Sequence, residues 1–251
     1  MTTDPPAARR GSNEPPPVAL DRGCQVWLMD PGDALPSHLE LLTDAERRWS
    51  QTYRLAAARQ RHTVAAALLK MVVAPHLGVD PREVRIGRDC PDCDRPHGRP
   101  RVAPDLHVSI SHSGERVAVG VSAAGPVGVD IEQVVDGLDL EGMLPYTVSE
   151  TELATFPPIG DGPARIEAFY RCWTRKESIL KATGDGLRVP MNSVTLRSDS
   201  SGRCVANFAG RPELSTGARV YDLAVAAGYV GAITVLCATE VVVMEIDSAG
   251  I

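Results

Sequence analysis

Aromatic residues, long apolar runs and positive net charge are all scarce in this sequence, and each shortage excludes a class of protein. Phe, Trp and Tyr make up 4% of the 251 residues, so the core must consist mainly of Ala, Val and Leu. The longest apolar run, residues 229–238, is far shorter than the roughly 20 residues that cross a bilayer. A net charge of −6 argues against general nucleic-acid binding, which needs a basic face.

The beginning of the sequence also lacks the pattern of a secretory signal. Residues 1–17 are rich in Pro, Ala and Arg and contain no apolar stretch. Such a composition is typical of a disordered tail, because it cannot bury enough apolar surface to fold. We therefore expect a soluble, cytoplasmic protein that associates with neither nucleic acid nor membrane.

The two halves of the chain show a similar order of structural signals. Capping boxes begin at Thr43 and Ser149, and long helices are predicted over residues 44–74 and 163–183, with strands around them. These signals predict an α+β fold of two similar α/β subdomains in a pseudo-twofold arrangement, with the active site in the cleft between them. The predicted organisation is a disordered tail at residues 1–18, an N-terminal subdomain at 19–124 and a C-terminal subdomain at 125–251.

Six cysteines are scattered along the chain, and only Cys90 and Cys93 lie close together. With His97 they offer three ligands for zinc, whereas a structural zinc site usually has four. A proline-rich turn with two reduced thiols is the alternative, and the sequence leaves both interpretations open.

Three carboxylates fall in a pattern that suits a divalent metal ion. Asp130 and Glu132 alternate along a predicted strand, so their side chains face the same side. Glu177 lies on a predicted helix between Lys176 and Lys181. Mg²⁺ prefers oxygen ligands and often bridges to phosphate, which the lysines would also attract. A solvated strand edge and a surface Glu177–Lys181 ion pair are the simpler explanations, but they leave Lys176 on the apolar side of the helix unexplained.

Candidate phosphate contacts precede the two carboxylates. Ser111 and His112 end a strand-like segment, and the backbone N–H groups of the following turn are further donors. Arg61 on the first long helix and Arg99 in a loop add guanidinium groups, which bind two phosphate oxygens at once. The sequence has no G-x-x-x-x-G-K-[ST] loop, which excludes a P-loop enzyme. It also has no G-x-S-x-G turn, so a serine hydrolase is poorly supported.

Four motifs between residues 40 and 190 together resemble those of the 4′-phosphopantetheinyl transferases. They are Gly98-Arg99-Pro100 (G-[KR]-P), Ser109-Ile-Ser111-His112-Ser113 (S-x-S-H-S), Gly128-Val-Asp130-Ile-Glu132 (G-[IV]-D-[IV]-E) and Trp173 to Leu187 (W-x-x-K-E-[AS]-x-x-K-x-x-G-x-G-L). Any single motif can arise by chance, whereas all four in this order are specific for the family. The chain is similar to the monomeric, two-subdomain type that activates peptide and polyketide synthases, including surfactin synthetase.

The resemblance implies a reaction, a cofactor and a partner. The 4′-phosphopantetheine group of coenzyme A would move to a serine of an apo acyl or peptidyl carrier protein, and 3′,5′-ADP would be released. Asp130, Glu132 and Glu177 would bind Mg²⁺. Glu177 would also act as the base, directly or through a metal-bound water, and Lys181 would assist the leaving group.

The resemblance further implies a set of side chains that contact coenzyme A. They are Arg61, Arg99, Ser111, His112, Lys176 and Lys181. The chain departs from the family at Ala66, where a second arginine is frequent, and in the Cys-Pro-Asp-Cys insertion before Gly98. An inactive nucleotide-binding protein and a zinc-stabilised interaction module are the alternatives. The presence of all three acids and both lysines argues against the inactive protein.

Overall fold

Two β-sheets, each packed against one 22-residue helix, make up the core of the protein. These elements are seen in a computed structural model that describes residues 20, 23–88, 93, 98–158, 162–198, 204–208 and 210–248. The fold is therefore of the mixed α/β kind, as the sequence predicts. The predicted tail, residues 1–18, lies outside the described residues.

The helices and strands follow one another in the order that their numbers give. The helices are α1 Pro36–Glu40, α2 Asp44–Ser50, α3 Ala56–Leu77, α4 Leu140–Thr147, α5 Glu150–Leu153, α6 Gly162–Thr183 and α7 Pro212–Gly217. The strands are β1 Gly23–Met29, β2 His107–Ser113, β3 Arg116–Ser122, β4 Val127–Gln133, β5 Val194–Ser198, β6 Cys204–Phe208, β7 Ala218–Asp222, β8 Tyr229–Leu236 and β9 Val242–Asp247. No helix in the described part of the chain is long and apolar enough to cross a membrane.

The first sheet has the strand order β2-β3-β1-β9 and packs against α3. Leu68 and Leu69 of α3 are fully buried against strand residues such as Val119. Strands β1, β2 and β3 pair antiparallel, whereas β9 pairs parallel to β1. Because β9 comes from the C-terminal half, a division between residues 124 and 125 does not separate the two sheets.

The second sheet is antiparallel in the order β4-β8-β7-β6-β5, and α6 packs across it. Gly128 of β4 permits a close approach between α6 and the sheet. A Cβ atom there would collide with the carbonyl oxygen of Ser178 and would lie 2.5 Å from the backbone nitrogen of Ala182. The absence of a side chain at Gly128 therefore allows the C-terminal turns of α6 to lie against β4.

The first predicted long helix is divided in the structure. A break at residues 51–55 separates α2 from α3, although no Gly or Pro marks it in the sequence. The break turns Tyr53 toward His62, and the two ring centroids lie 5.0 Å apart. Pro75 does not end α3, because in the last turn it costs only one backbone hydrogen bond, and the helix closes at Gly78 with φ 66°.

Residues 84–88 form no strand, only a single bridge between Gly87 and Arg101. The second capping box, Ser149 with Glu152, forms as predicted but opens only the four-residue helix α5. The helix predicted from Pro163 to Thr183 agrees with α6 to within one residue.

Candidate active site

A cavity of about 350 Å³ lies between the two sheet-and-helix units. Its wall contains four of the predicted groups from the second unit, namely Asp130, Glu132, Glu177 and Lys181. The first unit contributes Ser111 and His112 from β2 and several residues that the sequence did not indicate. The residues lining it are Trp49, Tyr53, His62, Ala65, Arg88, Ile110, Ser111, His112, Asp130, Glu132, Trp173, Glu177 and Lys181.

The strand β4 places Asp130 and Glu132 in this cavity by its alternation. Val129 and Ile131 are fully buried on the opposite face in the apolar core. The Asp130 side chain is 4% exposed, and its Oδ1 accepts hydrogen bonds from Lys181 Nζ at 2.7 Å and Ser111 Oγ at 2.8 Å. Glu132 Oε2 accepts a hydrogen bond from Ser113 Oγ at 2.6 Å.

The helix α6 supplies Glu177 and Lys181 from successive turns of one face. Lys181 Nζ donates to Asp130 and also to Ser111 Oγ at 3.2 Å and the Val129 carbonyl oxygen at 3.1 Å. Glu177 is buried and lines the cavity one turn earlier. The close approach at Gly128 is what allows these two side chains to reach the carboxylates of β4.

The cavity raises the pKa of two of its carboxyl groups. Burial raises the pKa of Glu132 to about 7, opposed by the Ser113 hydrogen bond and helped by the negative charge of Asp130. Burial also raises the pKa of Glu177, while Lys181 lowers it and Asp130 raises it. Asp130 Oδ2 is buried and has no hydrogen-bond partner among the described residues. The positive charge of Lys181 therefore does not fully offset the burial and mutual repulsion of these carboxyl groups.

These carboxylates fit a divalent cation chemically, although they do not form a finished ligand shell. Within the described ranges, no group of three His, Cys, Asp or Glu side chains is arranged to hold a metal ion as it stands. Asp130 is held by Lys181 and Glu132 by Ser113. The unpartnered Asp130 Oδ2 and the oxygen-only donor set are the observations that favour Mg²⁺.

Lys176 is not brought to the cavity. It is fully buried, and its Nζ donates to Glu152 Oε2 at 2.6 Å and to the Thr147 carbonyl oxygen at 2.7 Å. One residue along a helix is a rotation of about 100°, so a neighbour of Glu177 points elsewhere. In this structure Lys176 joins α6 to α5 and gives no support to a contact with coenzyme A.

The two predicted arginines lie outside the carboxylate cavity. Arg61 Nη1 donates to the Gly114 carbonyl oxygen at 3.0 Å in the turn between β2 and β3. Arg99 donates to the Ala182 carbonyl oxygen at 3.2 Å, just beyond Lys181. It lines a second cavity, of about 570 Å³, together with Arg101 and Arg188.

Sequence reasoning missed the part of the first cavity that α2, α3 and residue 88 provide. His62 and Arg88 face the carboxylates from the first unit, next to Trp49 and Tyr53. The pKa of His62 is lowered to about 4, chiefly by burial and in part by the positive charges of Arg88 and His112. No motif spacing marks these residues, because they come from α2, the break after it, α3 and the segment that follows α3.

The zinc interpretation concerns a segment that is described only in part. Cys93 is exposed, whereas Cys90 and His97 lie outside the described residues.

Comparisons with known proteins agree with the motifs. Residues 126–234 match the model of the 4′-phosphopantetheinyl transferase superfamily. The 4′-phosphopantetheinyl transferase Sfp of Bacillus subtilis strain 168 is 28% identical over 145 residues, covering 57% of this chain and 60% of the relative. A phosphopantetheinyl transferase of Thraustochytrium sp. is 30% identical over 188 residues, covering 68% of this chain and 63% of the relative. A solved holo-(acyl-carrier-protein) synthase of Bacillus anthracis, in complex with CoA (3′,5′-ADP), is 20% identical with a TM-score of 0.36, covering 46% of this chain and 97% of that chain.

The segment that matches the superfamily contains all three cavity carboxylates as well as Lys181. The resemblance to the 4′-phosphopantetheinyl transferases that the four motifs indicate is therefore confirmed, and residues 126–234 match the model of that superfamily. The chain spans about 60% of the length of the curated relatives named above.

Proposed function

We propose that this protein is a 4′-phosphopantetheinyl transferase that moves the 4′-phosphopantetheine group of coenzyme A to a serine of an apo acyl or peptidyl carrier protein. The other product is 3′,5′-ADP. The observation that carries this proposal is the convergence of Asp130, Glu132, Glu177 and Lys181 on one cavity, within a segment that matches the model of this superfamily. Fatty-acid, polyketide and nonribosomal peptide synthases contain such carriers.

Asp130, Glu132 and Glu177 would hold the Mg²⁺ ion in this proposal. When bound, Mg²⁺ offsets the negative charge of the pyrophosphate and of the departing phosphate. The raised pKa values of Glu132 and Glu177 support this assignment, because burial and mutual repulsion leave the carboxylates short of positive charge.

Glu177 is the proposed base, and Lys181 the group that stabilises the leaving phosphate. Glu177 would accept the proton of the carrier serine hydroxyl, and its raised pKa makes it a stronger proton acceptor than an exposed glutamate. The serine oxygen then forms a bond to the phosphorus that carries pantetheine, and the bond from that phosphorus to 3′,5′-ADP breaks. Lys181 Nζ, now held by Asp130, donates to the phosphate that leaves.

The remaining predicted side chains are proposed to contact the phosphate groups and the nucleotide end of coenzyme A. Arg99, beside the second cavity, and Arg61, at the β2–β3 turn, are assigned to the 3′-phosphoadenosine moiety. Ser111 and His112 at the wall of the first cavity are assigned to phosphate groups. The grouping of Arg99, Arg101 and Arg188 supports an anionic ligand there.

We further propose a subdomain arrangement, an oligomeric state and a cellular location for the protein. In this proposal the two sheet-and-helix units would be two similar subdomains related by a pseudo-twofold axis, so that one chain would form the complete cleft. The protein would then act as a monomer in the cytoplasm, with coenzyme A and carrier proteins as its partners and without nucleic acid or membrane.

Intact-mass spectrometry of an apo carrier protein incubated with coenzyme A, Mg²⁺ and this protein tests the proposal. We expect the carrier mass to rise by one phosphopantetheine, and the rise to disappear when the metal is chelated. An unchanged mass across a panel of fatty-acid, polyketide and peptide carriers would contradict the proposed activity.

A pair of matched variants on α6 tests the role of Glu177. Glu177→Gln removes the proton acceptor and one metal ligand, so transfer should be lost while the circular dichroism spectrum stays the same. Glu167→Gln makes the same chemical change on the exposed side of α6, where the glutamate only pairs with Arg171, and should leave transfer unchanged. Transfer at the wild-type rate by Glu177→Gln would show that the assignment is wrong.

A further inference from the structure

The two sheets meet along their edge strands through a row of serine hydroxyls. β2 is an edge of the first sheet and β4 an edge of the second. Ser109, Ser111 and Ser113 of β2, hereafter the serine ladder, each accept a hydrogen bond from a backbone N–H of β4. The donors are Val129 at 3.0 Å, Ile131 at 3.3 Å and Gln133 at 3.1 Å, respectively.

The ladder sets the register between the two units. Each serine lies twenty positions before its donor, so β2 and β4 run in the same direction and in step. The hydroxyls take the place of the carbonyl groups that a neighbouring strand would offer, and so satisfy N–H groups that an edge strand otherwise leaves without a partner. A slip by one residue would replace each hydroxyl with an apolar side chain, with His112 or with Gly114.

Two of the three rungs also hold a carboxylate. Ser111 donates to Asp130 Oδ1, and Ser113 donates to Glu132 Oε2. The corresponding position beside Ser109 is Gly128, which has no side chain to hold.

The valence of a hydroxyl makes these contacts directional. Ser113 has one hydrogen, which it gives to Glu132, and it accepts the N–H of Gln133 on a lone pair. Since the backbone fixes the acceptor side of the oxygen, it also restricts where the hydrogen points. The carboxylate of Glu132 is therefore oriented by the joint between the two sheets.

We propose that Ser113 is a positioning residue that orients Glu132 for metal binding, and that Ser111 does the same for Asp130. This inference rests on the magnesium site of the proposed function. Ser113 is the residue to test, because Ser111 also contacts Lys181. An effect of replacing Ser111 on metal binding could therefore come from Asp130 or from Lys181.

Direct binding of Mn²⁺, a paramagnetic substitute for Mg²⁺, to the protein without coenzyme A is the measurement. Ser113→Ala should weaken Mn²⁺ binding about 10- to 100-fold, the usual loss when a group that orients a metal ligand is removed. Ser109→Ala is the matched control, because it removes a rung that holds no carboxylate. It should lower the urea midpoint of unfolding and leave the Mn²⁺ affinity unchanged. Ser113→Thr, which keeps the hydroxyl, should restore wild-type affinity.

The outcomes separate this inference from the proposed function. Wild-type Mn²⁺ affinity in Ser113→Ala, or an equal loss in Ser109→Ala, would overturn the positioning role. Failure of the wild-type protein to bind Mn²⁺ would overturn the metal site and this inference together. If the wild-type protein binds Mn²⁺ but transfers nothing to any carrier protein, only the proposed function is contradicted. The Mn²⁺ affinities of Ser113→Ala and the wild type then still decide the role of Ser113. The comparison of Ser113→Ala with Ser113→Thr suffices if Ser109→Ala does not fold.

Discussion

Replacement of Gly128 by alanine should separate helix α6 from β4, the strand that carries Asp130 and Glu132. The new Cβ would lie 2.5 Å from the Ala182 nitrogen and 2.9 Å from Lys181 Cβ, besides its collision with the Ser178 carbonyl oxygen. Carbon contacts are comfortable at about 3.5 Å, so α6 must move by about 1 Å. The forced packing should cost about 1–3 kcal/mol of the free energy of unfolding.

The effect on catalysis should be larger than the effect on stability. A displacement of about 1 Å in a reacting group costs on the order of 100-fold in rate, and here it would move Glu177 and Lys181 away from Asp130. Steady-state transfer to a carrier protein and urea unfolding measure the two quantities on one sample. Gly162→Ala is the control, since a Cβ at this position on α6 meets nothing within 4 Å and should leave both unchanged. A Gly128→Ala protein with wild-type turnover would refute the argument that close packing at this glycine assembles the site.

Three other predictions concern a buried ion pair, a histidine and the proposed metal ligand Glu132. Lys176→Met should lower the free energy of unfolding by about 3–5 kcal/mol, because it leaves the Glu152 carboxylate nearly buried without its cation; an unchanged urea midpoint would contradict the pairing. The pKa of His62 falls from 6.5 to about 4 on folding, so the unfolded chain binds more protons between these values. Stability should therefore fall as the pH is lowered from 6.5 to 4, and less steeply in His62→Gln; equal slopes would argue against burial as the cause. At 100 times its dissociation constant, Mg²⁺ should stabilise the wild-type protein by about 2.7 kcal/mol and so raise its melting temperature. The same concentration should raise the melting temperature of Glu132→Gln much less. An equal rise in both would exclude Glu132 as a ligand.

Local periodicity was enough to predict the second half of the site. The alternation of a strand places Asp130 and Glu132 on one side, and the spacing of four residues places Glu177 and Lys181 on one face of α6. These relations depend only on the geometry of a single strand or helix. The sequence therefore predicts them without knowledge of the rest of the fold.

Long-range contacts were beyond such reasoning. The partner of Lys176 is Glu152, which also caps α5 and accepts the backbone N–H of Leu196, and no spacing rule connects the three. His62 of α3 and Arg88, which follows α3 in the chain, line the same cavity, and no local spacing rule connects them. Sequence reasoning assigned Ser111 to phosphate, whereas its contacts to Asp130 and Ile131 depend on how the two sheets meet.

The parallel pairing of β9 with β1 determines when the first sheet can be completed. Gly23 pairs with Val242, so almost the entire second unit lies between two neighbouring strands of the first sheet. Pairings this distant in sequence form late in folding, because the loop that they close is very long. During synthesis the first sheet remains one strand short, with the edge of β1 exposed, until residues 242–247 have been made. Almost all of the second unit must therefore be synthesised before the first unit can finish folding. In sequence, the second unit is an insertion between two strands of the first sheet.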